Sequence, residues 1–472
     1  MLSATQWPIH GLVSQYQGRR LALTKMVGCA LLLAVFAGCG DSNSVVLDDE
    51  SLAEFAKLPG LQKSTLEELR HHYQLLETEK ATPLQLKKPA VPIEQNIAAV
   101  FVDLFPKNFL PQQLETSDEL FPRPKFAPDK ALLEQIQLFR RRLEPKRAQV
   151  VVALDREHCD FGLDHAQSWY ADYSILNAVT LYVRLEAFLA AERLEANDLT
   201  AASGALKRMF RVIELLSFEK GARARLLAAN LRVDALSVLS ATLTHVAADA
   251  SLAREYYHLL ENQLTSWPND ADAWIGDRAR DLVAYEVIRN GLLLNLLSEA
   301  EIRKLVINHS SRKIHEIAAA GADKDELFYL EEMRRIIHSC NEGEGSERRP
   351  VPYYRRKGVF VDLVRAQQEW IDADEFPFAA AELFLPQVQQ GHSMQASDRA
   401  RVEMWAIGLS TALGYRENTY KLNPLHGQEY HVTVETHNVV VLDSATQLAK
   451  QVVVVPRFDT QISGKSRRTG AR

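Results

Sequence analysis

The chain has 472 residues, 47% of them hydrophobic and 25% charged, a globular composition that sets aside collagen, a disordered chain and a multi-pass membrane protein. Its 55 Lys+Arg against 61 Asp+Glu give a formal charge of -6. Residues 1–38 hold Arg19, Arg20 and Lys25 but no acid, so the body is more acidic than the whole chain. That opposes nucleic-acid binding, which rests on a basic face.

At the N-terminus those three bases precede the uncharged run Met26 to Gly38, and Cys39 follows two small residues. A basic segment followed by a short apolar one reads as an export signal over residues 1–38. The run falls short of the about twenty residues that cross a ~30 Å hydrocarbon core, so cleavage is expected rather than a permanent span. Phe36-Ala37-Gly38-Cys39 resembles the bacterial lipobox, with Phe36 where Leu is usual. The resemblance implies that Cys39 is lipidated and becomes the mature N-terminus, placing the protein on a bacterial envelope membrane and facing the periplasm or the exterior. Acyl chains contribute about 0.8 kcal/mol per buried methylene, and two of them give stable anchoring. Arg19-Arg20 lacks the Phe of a twin-arginine signal, since Ala22 stands in its place.

Residues 39–63 read as lipid anchor and flexible tether. Residues 64–128 read as a first helix, Ser64 to Lys80, opened by the capping box Ser64-Thr65-Leu66-Glu67, and then an irregular arm rich in proline. From 129 to 340 the helical period dominates. One stripe is Ile175, Val179, Tyr182, Leu185, Leu189; others are Leu199, Ala202, Leu206, Met209, Ile213, Leu216, and Ala229, Val233, Leu236, Leu239, Leu243. Steps of three and four put each set on one helix face. The links at 195–198, 219–221 and 248–250 are short, which makes successive helices antiparallel neighbours. Ser298-Glu299-Ala300-Glu301 is a second capping box, opening a helix toward Ala320.

Asn341 to Pro352 reads as a mobile loop and residues 353–420 as further helices. Residues 421–458 switch to the period of strands: Glu429 to Val434, Asn438 to Leu442 and Gln451 to Val455. The tail 459–472 is basic and polar, a composition of disorder. The expected fold is mainly α, stacked antiparallel hairpins in an α-solenoid of the tetratricopeptide type or an irregular bundle, closed by a small C-terminal antiparallel β-sheet.

Four cysteines are present. Cys29 falls in the signal and Cys39 at the lipobox, leaving Cys159 and Cys340, which could bridge in an oxidising compartment. The densest set of ligand-type side chains is Glu157-His158-Cys159-Asp160 with Asp164 and His165. Imidazole and thiolate suit borderline metals, but the spacing fits no standard site, and the two aspartates serve equally as turn formers and caps. A structural turn is the favoured reading, and no cofactor is expected. His315-Glu316 lacks the second histidine of a zinc-protease helix, having Ala319 there. Gly391-His392-Ser393-Met394-Gln395 lacks the second glycine of a nucleophile elbow and reads as a plain loop. Trp267-Pro268 and Trp274, among Asn269, Asp270 and Asp272, read first as the lock of a helix corner and second as the rim of a groove.

Cys159 to His165 followed by Ala191 to Asp198, with Asn423-Pro424-Leu425-His426-Gly427-Gln428-Glu429-Tyr430 near the end, resembles uncharacterised helical envelope lipoproteins of planctomycete-type bacteria, whose final turn and strands are distantly like those of pseudopilins. That resemblance implies architecture and address and carries no activity. The expected function is accordingly a non-enzymatic, membrane-anchored module that binds or scaffolds an envelope protein or peptide. The alternatives are an envelope hydrolase or metal-dependent enzyme with a dispersed site, and a structural component of a secretion or pilus-like assembly.

Overall fold

Helices dominate because apolar residues recur at helical spacing and polar caps end each helix where the chain must reverse. The computed structural model describes residues 66–102, 104, 130–165, 172–245, 248–292, 311–343, 348–372, 379–415, 419–443 and 451–458. The signal, Cys39, the tether, Ser64, Ser298, most of the proline-rich arm and the tail lie outside these residues.

In chain order the helices are α1 Glu67–Thr78, α2 Ala99–Val102, α3 Lys130–Ala153, α4 Ser174–Glu195, α5 Leu199–Ser217, α6 Ala222–Leu243, α7 Ala250–Thr265, α8 Asp270–Arg289 and α9 Ser311–Ser339. Strands β1 Asn341–Glu342 and β2 Arg349–Pro350 follow, then α10 Tyr353–Asp372, a π-helical turn Ala380–Phe384 and α11 Val388–Ala412. Strands β3 Tyr430–Val434, β4 Asn438–Asp443 and β5 Val452–Pro456 complete the order.

The short links work as capped reversals. Asn197 takes a left-handed φ of 58° at the end of α4, and the Asp198 and Asn197 amides donate to Arg193 O and Leu194 O at 2.8 and 3.0 Å. This is the hydrogen-bond pattern of a Schellman cap. Asp198 then caps α5 by accepting from Ala201 N, Asp249 caps α7 through Ser251 N and Leu252 N, and Asn269 caps α8 through Ala271 N.

Two apolar cores result. The first gathers α2, α4, α5, α6 and α7 with the second half of α11 and the three-stranded sheet; the second gathers α1, α8, α9, α10 and the first half of α11. Helix α11 therefore belongs to both: Val388 and Ala396 pack in the second core, and Val402 to Leu413 in the first. It also packs on α6 and α7, far away in sequence. A solenoid repeat touches only its neighbours, so of the two expected arrangements the fold is the irregular bundle.

The sheet has order β3-β4-β5, all antiparallel, with Tyr430 opposite Asp443 and Val439 opposite Val455. Alternation along β4 and β5 turns Val439, Val441, Val453 and Val455 inward. Gly408 of α11 lets this face close on the helix, since a Cβ there would lie 2.7 Å from Val455 Cγ2. Helices α4 and α6 are long and apolar enough to cross a membrane, and 67% of each apolar window is buried within the fold.

Three expectations change. The ends of the 341–352 segment are paired rather than free: Asn341 and Glu342 face Pro350 and Arg349. Its prolines sit where no amide is needed of them, at a sheet edge and ahead of a helix start. The 391–395 segment is helical, inside α11, and α9 runs past Ala320 to Ser339.

Where the two cores meet, Arg232 of α6 and Asp398 of α11, both buried, form an ion pair. Arg232 also donates to Ser217 Oγ at 2.9 Å. Asp398→Ala strands a buried guanidinium and is expected to cost about 3–5 kcal/mol in urea unfolding, while the apolar double replacement Arg232→Met with Asp398→Leu recovers most of it. A loss within 1 kcal/mol for the single variant would count against a burial-driven role for the pair.

Helix α1 docks on α9 through Tyr73, whose hydroxyl donates to Glu326 Oε1 at 2.8 Å. Burial pushes the Glu326 carboxyl up to about 7, against an ordinary 4.5, although Arg289 pairs with it. The folded state then holds a proton that the unfolded state releases, so stability falls as pH rises through that window. Glu326→Gln should therefore gain stability relative to the wild type on going from below pH about 5 to above about 8; an equal difference at both ends would refute this.

Candidate binding groove

The α7–α8 corner, the β1–β2 hairpin, the first turn of α10, the middle of α11 and the 422–424 turn converge on a cavity of about 390 Å³. Its walls include Trp267, Tyr353, Tyr354, Leu422 and the prolines 268, 350, 352 and 424; Gln395, Arg399 and Glu403 come from α11. The 422–424 turn is held by backbone bonds from Asn423 N to Gln428 O and from Gly427 N to Asn423 O, and the hairpin side is tied to it by Tyr354 N donating to Pro424 O at 3.2 Å. The expected 423–430 turn is thus present and is docked on α10.

Behind the cavity lies a buried polar knot. Arg356 Nη1 donates to Cys340 Sγ at 2.8 Å and to His392 Nδ1 at 3.1 Å, and Nη2 donates to Asp270 Oδ2 at 2.5 Å. A guanidinium only donates, so Nδ1 must carry the lone pair and the His392 proton sits on Nε2. That ring stacks on Trp274 at 4.6 Å between centroids. Gly391 makes the stacking possible, because a Cβ there would stand 2.4 Å from the indole. Burial first, and Arg356 second, push His392 well below 6.5, keeping it neutral. Burial pushes the Cys340 thiol up to about 12, so it is protonated, and it donates to Ile336 O.

On the α11 side, Glu403 accepts from Arg399 at 2.9 Å and from the Tyr430 hydroxyl at 2.8 Å, joining the groove to the sheet. The Trp267 ring lies under Arg232 and Arg399, at 4.8 and 6.0 Å. Trp274 therefore locks the corner, as the first reading had it, while Trp267 takes the second and lines the groove.

The His158 cluster forms the structural turn favoured from its sequence. Asn96 brackets Asp160 with two backbone bonds of 2.9 Å, Ile97 N donates to His158 O, and Asp160 Oδ1 accepts from Gly162 N in an Asx-turn. Lys87 pairs with Asp164, and Lys88 with Glu219 and more distantly Asp160. Cys159 is half-buried against the first core, and His165 lies beside Gly276. Among the described residues no three His, Cys, Asp or Glu side chains are placed to hold a metal ion. The cluster is a turn that clamps residues 87–98 to the body.

The possible Cys159–Cys340 bridge is not formed: both thiols are free, one against each core, and Cys340 is occupied by Arg356 and Ile336 O. A larger open depression of about 800 Å³ between α3, α4 and α5 is lined by five arginines. Its guanidiniums are largely spent on Glu144, Glu186 and Glu192.

The chain matches no protein-family model, no curated protein and no solved structure.

Sequence reasoning missed Arg356, Cys340, His392 and Gln395 as parts of one site. Their signal is the polar face of α11, at positions 392, 395, 398, 399 and 403, which a search for apolar stripes passes over. Because His392 is neutral when folded and titrates near 6.5 when unfolded, its contribution is intact above that value and lost as pH falls below it. The stability margin of the wild type over His392→Gln should shrink from about pH 7.5 to about 5.5 in thermal melts; a margin that widens on acidification would contradict the neutral ring.

Proposed function

We propose that this protein is a membrane-anchored envelope lipoprotein whose helical body captures a protein or peptide segment in the aromatic, proline-walled groove, without catalysing a reaction on it. The observation that carries the reading is the groove itself: a concave site of about 390 Å³ walled by three aromatic side chains and four prolines, with Asp270, Gln395, Arg399 and Glu403 as polar groups, a build suited to recognition. Its titratable floor supports binding rather than chemistry. The Cys340 thiol is held protonated beside a guanidinium instead of a base, and His392 gives its lone pair to that same guanidinium. The address rests on the lipobox-like Cys39. Scaffolding within a secretion or pilus-like assembly is the second reading, favoured by the outer face of the sheet, where Val432, Val434, Val452 and Val454 are 38–56% exposed.

Two measurements test this. In a native bacterial host, the wild type is expected to carry lipid mass on Cys39 and to sediment with membranes, and Cys39→Ala to do neither; two soluble, unlipidated forms would remove the anchor. A photo-crosslinking amino acid at the exposed rim position Leu422 should give a discrete adduct that the same group at Val152 on α3 does not. Labelling at neither position would remove the groove as a capture site, and an adduct only from the Val434 face would favour assembly through the sheet.

A further inference from the structure

The arginines of the 800 Å³ depression between α3, α4 and α5 fall into two groups by what they hold. Arg147 of α3 and Arg208 of α5 both close on Glu186 of α4, which is fully buried. Arg147 Nε and Nη2 donate to its carboxylate at 2.7 and 3.2 Å, and Arg208 Nε and Nη2 at 3.1 and 2.8 Å. Those two guanidiniums are committed to joining three helices. The other three are held loosely or not at all. Arg140 pairs with Glu192, whose side chain is 28% exposed, and Arg193 comes only within 3.7 Å of Asp198. Arg141 is exposed, lines the depression, and has no ion-pair partner among the described residues.

Against these five arginines stand Glu144, Glu186, Glu192 and Asp198, so the depression stays positive in a chain whose formal charge is -6. A concave site of one sign concentrates ions of the other. The guanidinium fork matches carboxylates and phosphoryl groups alike, and the fold decides between them. Carboxylates are already supplied here by tethered side chains at high effective concentration, so a free carboxylate has no advantage over Glu144 or Glu192. A phosphoryl group brings about -1.5 to -2 charges and three acceptor oxygens. It outcompetes a single carboxylate and reaches guanidiniums from two helices at once. The volume, of the size of a small-molecule site, leaves room for more than one such group, while the acidic body opposes a nucleic-acid strand as their source.

We propose that this depression binds a small soluble anion carrying two or more phosphoryl groups, held by Arg140, Arg141 and Arg193 while Arg147 and Arg208 stay on Glu186. Binding takes Arg140 from Glu192, whose carboxylate turns to solvent. The site is separate from the groove and does not depend on what the groove takes.

The test is calorimetric titration of the full chain in detergent with tripolyphosphate, glycerol phosphate and citrate, at about pH 8, above the phosphoryl pKa of about 6. Tripolyphosphate is expected to bind about tenfold more tightly than either of the others. Arg141→Gln removes no ion pair of the fold, so its melting curve should be unchanged while tripolyphosphate weakens about tenfold. Arg193→Gln should weaken it in the same way, and keeps the test open should the first variant unfold. Arg254→Gln, exposed on α7 outside the depression, removes the same charge and should change the affinity by less than about twofold, because solvent and salt screen it. Equal affinity for citrate overturns the choice of phosphoryl. Equal affinity for glycerol phosphate, which carries the single phosphoryl of a simple lipid headgroup, overturns the need for two. Absence of tripolyphosphate binding, or a loss in the Arg141 and Arg193 variants no greater than in Arg254→Gln, overturns the site.

Discussion

The structure depends on one helix passing through two hydrophobic cores with a polar middle. Helix α11 is apolar where it enters the second core and again where it lies under the sheet, but His392, Gln395, Asp398, Arg399 and Glu403 fall between. Buried polar groups destabilise a fold unless each finds a partner. Here the partners come from four other elements: Arg356 of α10 for His392, Trp274 of α8 for Gln395, Arg232 of α6 for Asp398, and Tyr430 of β3 for Glu403. Each pairing fixes the rotation of α11 about its axis, because a turn of the helix would break all four together. Apolar packing alone would give attraction with less direction.

The same requirement explains the glycines at the two ends of the passage. At Gly391 the Trp274 indole approaches the backbone closely enough to stack on His392, and at Gly408 the sheet does so through Val455. Between those contacts the helix faces polar partners. The groove opens there, on the side where Trp267, the hairpin and the 422–424 turn stand apart from the helix.

The apolar half of this plan was legible in the sequence. Stripes such as Leu206, Met209, Ile213 and Leu216 are buried, Asp198 and Asp249 cap where short links were expected, and the three strands fall where the period changes. The polar half was not. His392 and Gln395 looked like a loop because hydrophobic periodicity has no vocabulary for a buried face built from paired polar residues, whose partners lie 36 and 121 residues away. The His158 cluster was legible as a structural turn, but what that turn holds was not. Ligand-type side chains were close in sequence, yet their backbone and carboxylate groups were needed by Asn96, Lys87 and Lys88 to fasten a separate segment. Proximity along the chain signalled a clamp, and distance along the chain concealed the site.

That dispersion has a consequence for how the groove behaves. Its walls come from the α7–α8 corner, the hairpin after α9, α10, α11 and the turn before the sheet, so no single hairpin or core forms it alone. The carboxamide of Gln395 is oriented only when α8 and α11 are docked, and that of Asn341 only when β1 reaches the cap of α8. Both carboxamides are consequently fixed in the folded protein and undirected before folding is complete. A groove whose walls are already ordered in this way lowers the ordering cost of binding. A partly folded chain, with α11 free to rotate, would carry the same wall residues without that alignment, so the ordering cost would fall on the binding step instead.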